Sequence, residues 1–326
     1  MTSDRQTRAA EGSQNAPWAQ AGQQALTPDW QASTAGTGAR LRPRDDTTRS
    51  LAETVRLGAL QLFMTLLVVT FLVPTFWMLS SSLKVSTEVF AHPIVWLPKD
   101  PHWNNYVKAF ELLPLTTFLV NTLIIVLFAV AGTVVSSALV AYSFARISWP
   151  GRDFWFSLLL ATMMLPDIVT LVPRFLIFKN LQWIDTWLPL IVPYWGGIGA
   201  IYVFLMRQFF RGIPLELEDA AEIDGANRLR VLIQILLPLS KPVIATVAVF
   251  ALIQHYNDFM NPLIYINSMD KWPLALGIRA YNDSYAKNWE VVFAASTVML
   301  TPMVAIFIIA QRYFVQGIAM TGFGGR

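Results

Sequence analysis

The sequence predicts an all-α, polytopic membrane protein with six transmembrane helices, and three observations carry that reading. Hydrophobic residues make up 55% of the 326-residue chain and charged residues only 14%, against roughly 25% charged in an ordinary soluble domain. With a mean hydropathy of +0.47, the chain lacks the polar material to coat a water-soluble globule of its length. Six stretches run for about 20 residues with little or no charge, the length needed to cross about 30 Å of hydrocarbon. An unpaired backbone group in lipid costs several kcal/mol, so each stretch is expected to be a helix, which satisfies its own N–H and C=O groups.

The first crossing is expected near Leu57 to Leu79. The second, near Phe118 to Phe144, sits inside a run without a charged residue from Leu112 to Ala145. The third, about Phe154 to Phe178, is the least regular, because it carries Pro166, Asp167, Pro173 and Arg174. Trp187 to Met206 forms the fourth and holds Gly196, Gly197 and Gly199; about Val243 to Leu263 forms the fifth, and Val291 to Gln311 the sixth. Most of the 12 tryptophans lie beside these runs, where amphipathic rings favour the headgroup zone.

Lys and Arg orient the bundle. With the N-terminus inside, the cytoplasmic segments hold 16 and the outer segments 7, with Arg174 left inside a crossing; without the distant Arg5 and Arg8 the balance is still 14 to 7. The excess marks the cytoplasmic side, so both termini are expected in the cytoplasm of a multi-pass cell-membrane protein. Residues 1–52 read as a disordered cytoplasmic tail, rich in Ala, Gln, Thr, Ser and Gly and too poor in apolar groups to offset chain entropy. Residues 53–326 read as the transmembrane domain. No short apolar stretch precedes the first long one, so that crossing is expected to stay as an uncleaved anchor.

Composition also bears on chemistry. The chain has no Cys, and its three His (His92, His102, His255) are widely spaced, which disfavours disulfides, thiol nucleophiles and transition-metal centres. No cofactor and no nucleic-acid partner is expected.

The segment from Ile213 to Pro238, between crossings four and five, is too patterned for a plain linker and reads as two short helices. Pro214 suits a first turn, and Glu216, Glu218 and Asp219 fall where the positive end of the helix dipole favours acids. Gly225 can take the left-handed conformation that ends a helix, so the break falls at Asp224-Gly225. Ile213, Leu217, Ala220 and Ala221 share one face of the first helix. In the second, Leu229, Leu232, Ile233 and Leu236 form an i, i+3, i+4, i+7 stripe that Pro238 ends, suited to lying against the ends of the crossings. The first helix then projects as an acidic knob with an Ala-lined side, a shape for a groove on another protein. A membrane-surface helix fits less well, because such helices carry basic polar faces.

On these residues the chain resembles the permease subunits of binding-protein-dependent bacterial ABC importers, which share a loop written Glu-Ala-Ala, three residues, Gly, nine residues, Ile, one residue, Leu-Pro. Here it stands as Glu218 followed by Asp219-Ala220-Ala221, Asp224-Gly225-Ala226, and Ile235-Leu236-Leu237-Pro238, with Asp219 in place of the usual Glu. Ile213-Pro214, Pro238 to Pro242, Asn257-Asp258-Phe259, Pro262-Leu263 and Gln311-Arg312 before Gly317 resemble the carbohydrate-importing, maltose-permease branch with six crossings. The resemblance spans roughly Leu57 to Gly317; the last ten residues lack the Ala-Val-Lys-Gly ending common in that branch. It implies that Asp219 to Gly225 is a coupling helix held in a cleft of a cytoplasmic ATPase dimer, whose closure around ATP tilts the attached crossings. It also implies a second permease chain, an extracytoplasmic solute-binding protein, and a sugar, oligosaccharide or sugar-like polyol phosphate as cargo. The chain itself needs no catalytic residue, and no Gly is followed by Lys, so the phosphate-cradling loop of ATPases is missing.

Polar groups inside crossings are candidates for a substrate pathway: Asn121, Asp167, Gln254, Asn257 and Asp258. Asn121 is expected to open a helix after Leu119-Val120, and for it a bond between helices is the simpler role. Pro166-Asp167 and Pro173-Arg174 fit either a kink lining the pathway or an interfacial break. The cluster from Gln254 to Asn261 fits a pathway or a helix end emerging into water, and His255 fits helix packing. In the outer loop from Ile264 to Glu290, Trp272, Tyr281, Tyr285 and Trp289 suit either the membrane interface or a protein contact, whereas Phe154-Trp155 and Trp183 to Trp187 read as interfacial anchors. The competing function is an ion-gradient-driven secondary carrier, which wants a charged group midway across a span; Asp167 is the acid best placed for it.

Overall fold

The computed structural model describes residues 51–285 and 288–322. Of the tail over 1–52, read above as disordered, residues 1–50 lie outside the described residues, whereas Leu51 and Ala52 open the first helix; the last four residues and the side chains of Tyr281 and Tyr285 also lie outside. The chain divides into a unit ending at Thr70 and one beginning at Phe71; the packing described here belongs to the second.

Among the described residues the secondary structure is helical throughout. The helices are α1 (Leu51–Ser81), α2 (Asn104–Leu112), α3 (Leu115–Arg146), α4 (Arg152–Ala161), α5 (Asp167–Asn180), α6 (Leu188–Ile191), α7 (Ala200–Arg211), α8 (Glu216–Ile223), α9 (Arg228–Val231), α10 (Lys241–Tyr256), α11 (Met260–Tyr265), α12 (Leu274–Tyr285) and α13 (Trp289–Gly322). α1, α3 and α13 are single apolar helices long enough to cross a membrane, and Leu188–Arg211 is a fourth crossing built from α6, a 3-10 turn and α7.

Two further pairs are bent. α4 with its 3-10 extension meets α5 at 103°, and the Arg228–Leu239 segment meets α10 at 81°. Contacts at their ends decide what each pair does. Asp153, at the start of α4, lies 3.9 Å from Arg207 near the end of α7, on the face carrying the 213–240 loop. The far end of α5 packs Phe178 against Tyr265 at 5.1 Å, where the Asp185 amide donates to the Tyr265 carbonyl. α4 and α5 therefore join opposite ends of the bundle and form one broken crossing. By contrast Val231, Leu232 and Leu236 are buried with Tyr142, Phe144 and Phe210 in one cluster at the loop face, so the Arg228–Leu239 segment folds over the bundle end and the fifth crossing begins at Lys241. Six crossings result.

Several sequence expectations need correction. The fourth crossing is not one helix: Val192–Gly196 is a 3-10 turn and Gly197 takes φ +71°, a conformation glycine adopts without steric cost. The third breaks between Met164 and Asp167, because Pro166 has no N–H to donate and its own ring disfavours a helical Leu165. The fifth breaks after Tyr256 and resumes at Met260. Asn121 does not open a helix; α3 begins at Leu115 and Asn121 lies nearly two turns inside it.

α3 is the hub, packing on α7, α10 and α12. Between 129 and 141 its buried residues are all small (Ala129, Gly132, Thr133, Ser136, Ser137, Ala138 and Ala141), which lets neighbouring backbones approach where lipid supplies no hydrophobic drive between helices. Two apolar clusters divide the bundle by level. One gathers Tyr142, Phe156, Met206, Phe210, Val231, Leu236 and Val247 at the loop face; the other gathers Ala109, Leu115, Phe118, Leu274, Val291 and Met299 at the opposite face.

Candidate functional site

α8 stands on the loop face, and its geometry follows from its two ends. Leu215 precedes it in helical conformation, and Glu216, Glu218 and Asp219 occupy its first turn, where the orphan N–H groups and the dipole favour negative charge. At its C-terminus the Ala226 N–H donates to the Ala221 carbonyl at 2.9 Å and the Gly225 N–H to the Glu222 carbonyl at 3.0 Å. With Gly225 at φ +80° this is a Schellman stop, and its two signature side chains, Ala221 and Ala226, both pack on the loop-face cluster. The Asn227 side chain then accepts from the Arg230 N–H at 2.9 Å and caps α9.

One charge fixes α8 to the membrane-spanning part. Arg146, the last residue of α3, places Nε 2.8 Å from Glu218 Oε1, with the two side chains 5% and 12% exposed. Its Nη2 donates to the carbonyls of Phe210 and Ile213, so a single guanidinium ties together the end of α3, the end of α7 and the first turn of α8. Burial pushes the Glu218 carboxyl up from its ordinary value; Arg146 pulls it back in part, and Asp219 and Glu222 push it further up. Tyr142 adds a bond from its hydroxyl to the Arg228 carbonyl at 3.2 Å. Arg207, buried over the Phe156 ring at 3.8 Å, donates from Nε to the Phe144 carbonyl at 3.2 Å and holds the neighbouring turn. Of these supports the sequence reading named only Glu218. Arg146 entered only as a cytoplasmic charge, and its spacing of 72 residues from Glu218 carries no local signal.

The faces of the loop differ from the periodic reading. The face expected to be offered to another protein is split: Ile213 and Ala221 pack on this chain's own loop-face cluster, whereas Leu217 is 44% exposed and Ala220 is exposed too. In the second helix Leu232 and Leu236 are buried while Leu229 and Ile233 are exposed. The cause is a π-helical turn over Leu232–Leu236, whose wider turn brings Val231, Leu232 and Leu236 to the bundle and rotates Leu229 and Ile233 away. The same turn carries Pro238 within a helical segment that runs on to Leu239, so the helix ends at Ser240 rather than at the proline. Ile235 and Leu237 are both half-buried at that turn, and Leu237 packs on the loop-face cluster.

A second group of polar residues lies within the crossings. Asp167 and Arg174 pair at 3.7 Å, and Arg174 is close enough to Asp258 for their charges to interact. Asp258 accepts from the Asn261 backbone and side chain at 3.2 and 2.8 Å, capping α11. His255 meets Thr133 at 3.3 Å and the Tyr194 ring at 4.2 Å between centroids, and Gln254 accepts from the Tyr202 hydroxyl. The structure thus gathers Asp167, Gln254 and Asp258 around the breaks in crossings three, four and five. Asn257 turns back on its own helix, donating to the Ile253 carbonyl. Asn121 lies apart: it is buried and donates to the carbonyls of Asp270 and Trp272, a bond from crossing two to the far-face loop.

At that far face Asp185 accepts from the Asn267 and Ser268 amides, the Ser268 hydroxyl and Lys271 Nζ, all within 3.0 Å. Lys271 first, then Ser268, holds the Asp185 carboxyl far below the usual range. Trp183, half-buried, stacks on Phe178 and packs on a small far-face cluster, whereas Phe154 and Trp155 are exposed.

Residues 134–320 match the family described as "Binding-protein-dependent transport system inner membrane component". The sulfoquinovosyl glycerol transport system permease protein SmoH of Agrobacterium fabrum is 33% identical over 260 residues, covering 80% of this chain and 91% of that one. The arabinooligosaccharides transport system permease protein AraQ of Halalkalibacterium halodurans is 31% identical over 255 residues, covering 77% and 91%. A crystal structure of a bacterial ABC transporter involved in the import of the acidic polysaccharide alginate contains a chain of the same fold, with a TM-score of 0.72 at 22% identity over 82% of this chain and 99% of that one.

Proposed function

The chain belongs to the family of inner membrane components of binding-protein-dependent transport systems, and from that premise we propose that it is the permease subunit of a carbohydrate ABC importer, driven through α8. The observation that carries the coupling role is the outer side of α8. The helix is fixed from within by Arg146, Ala221 and Ala226, yet Leu215, Leu217 and Ile223 stand 57%, 44% and 86% exposed beside Glu216, Asp219 and Glu222. A helix held rigid on one side and presenting exposed apolar residues among acids on the other suits insertion into a groove of an ATPase dimer, as in helix-in-groove recognition. Motion of that partner would reach α3 and α7 through the Arg146 contacts as rigid-body displacement.

In this reading ATP is hydrolysed in separate subunits and the chain carries no catalysis of its own. Residues 53–326 form the transmembrane domain beside a second permease chain, both termini lie in the cytoplasm, and a solute-binding protein delivers cargo at the opposite face. Carbohydrate as cargo rests on the relatives, whose names specify sulfoquinovosyl glycerol and arabinooligosaccharides. Asp167, Gln254 and Asp258 are the best-placed pathway residues, with Asn257 next to Asp258 in the chain; Asn121, bonded to the far-face loop, stands apart from them.

The test uses Gly225→Asp. A Cβ there meets nothing within 4 Å, so the cost inside the chain is confined to the left-handed backbone, about 1–2 kcal/mol. The variant is expected to reach the membrane, to lose most ATPase co-purification and to lose ATP-dependent uptake. Uptake equal to wild type, or uptake that persists without ATP and collapses with the proton gradient, overturns the reading.

A further inference from the structure

We infer that α2, between the first two crossings, is an interfacial helix that rests on the bilayer surface at the face opposite α8. At about 100° per residue its nine residues divide into three arcs rather than two. Asn105 and Ala109, 4% and 0% exposed, face the protein, where Ala109 joins the far-face cluster and the helix packs on α13. Val107 and Phe110, 52% and 44% exposed, share a second arc. Lys108 and Glu111, both exposed, share the third. An apolar arc set between a protein side and a polar side suits a helix lying in the membrane interface, with that arc toward the acyl chains.

The level of α2 is fixed independently. Only Leu113 and Pro114 separate it from α3, and the three Cα steps from Leu112 to Leu115 span at most about 11 Å, so its end lies at the mouth of the second crossing. Its beginning is tied to the first: Asn105 Nδ2 donates to the carbonyls of Ser82 and Lys84 at 2.9 and 2.8 Å, and the Tyr106 and Ser82 hydroxyls meet at 2.8 Å. Ser82 follows directly on α1. Clamped between two helix ends at the edge of the hydrocarbon, α2 presents Val107 and Phe110 where acyl chains begin. The residues before it share that character: Trp96, Leu97 and Trp103 are 52%, 65% and 68% exposed, and Trp rings concentrate at this depth. The occupant is therefore the phospholipid bilayer itself.

Because the chain has no Cys, single-cysteine variants of the full-length protein test this directly. Val107→Cys, Phe110→Cys, Lys108→Cys and Glu111→Cys would each be spin-labelled in vesicles of phosphatidylethanolamine and phosphatidylglycerol. Collision with oxygen, which partitions into lipid, is compared with collision with a water-soluble nickel chelate. Labels at 107 and 110 are expected to be oxygen-dominated and several-fold less accessible to nickel than those at 108 and 111. Nickel accessibility at 107 and 110 equal to that at 108 overturns the proposal. So does protection that arises only on adding a solute-binding protein or a second permease, which would assign the surface to a protein. The readout needs neither ATP nor an ATPase, so failure of the coupling reading leaves it unaffected.

Discussion

Arg146 Nε and Glu218 Oε1 lie 2.8 Å apart, joining the last residue of the second crossing to the first turn of α8. Both side chains are largely buried, so the pair behaves as one unit: its partners lose more when one member goes than the pair contributes net.

Arg146→Met is therefore expected to loosen α8. It leaves the Glu218 carboxylate and the carbonyls of Phe210 and Ile213 without their cation, at a cost of about 3 kcal/mol, the low end for a broken buried pair. Amide exchange over residues 213–226 should accelerate while exchange in the core of α3 is unchanged. Arg146→Lys should recover only part of the loss, because a single ammonium cannot serve a carboxylate and two carbonyls in the fixed geometry of a guanidinium.

Glu218 should give the loop a pH dependence of stated sign. Burial raises its carboxyl above the ordinary value, so the folded loop binds a proton more readily than the unfolded chain. Its stability is greatest below the unfolded value of about 4.3 and falls as pH rises from there to the folded value, beyond which it is level. The slope of melting temperature against pH in that window should vanish in Glu218→Gln and shift to higher pH in Arg146→Met.

At the far face the sign reverses. The Asp185 carboxyl is held down by Lys271 and Ser268, so its contribution is present above the ordinary Asp value and is lost only as pH falls through the depressed one. Protection of the Asn267 and Ser268 amides, corrected for intrinsic exchange, should persist at pH 5. Lys271→Met should move its loss to higher pH, and Asp185→Asn should abolish it at every pH.

Gly132→Ala should destabilise the bundle through crossing four. A Cβ at 132 would stand 2.5 Å from the Trp195 indole, forcing the ring from α3 at a cost of about 1–3 kcal/mol, as overpacking does. The double variant Gly132→Ala/Trp195→Ala should melt closer to Trp195→Ala than additivity predicts, since removing the ring removes the clash.

How much of this was legible in the sequence depends on the range of the interaction. The α8 stop at Gly225 was readable because a Schellman turn is local, set by a left-handed residue and bonds spanning a few positions. The stripe Leu229-Leu232-Ile233-Leu236 was misread because a π-turn changes the period on which the stripe was counted. Asn121 was readable as polar but not as a bond to Asp270 and Trp272, about 150 residues away.

By itself the sequence determined that the chain crosses a membrane six times and that a patterned loop separates crossings four and five, because charge-free length and short-range spacing follow from local chemistry and the cost of bare backbone in lipid. Only the tertiary structure decided that crossings three and four are broken, that the Arg228–Leu239 segment folds over the bundle end, and that Arg146 anchors Glu218. Those outcomes depend on which distant groups meet once the helices pack, and a buried charge or a freed carbonyl takes whichever partner the packing brings within reach.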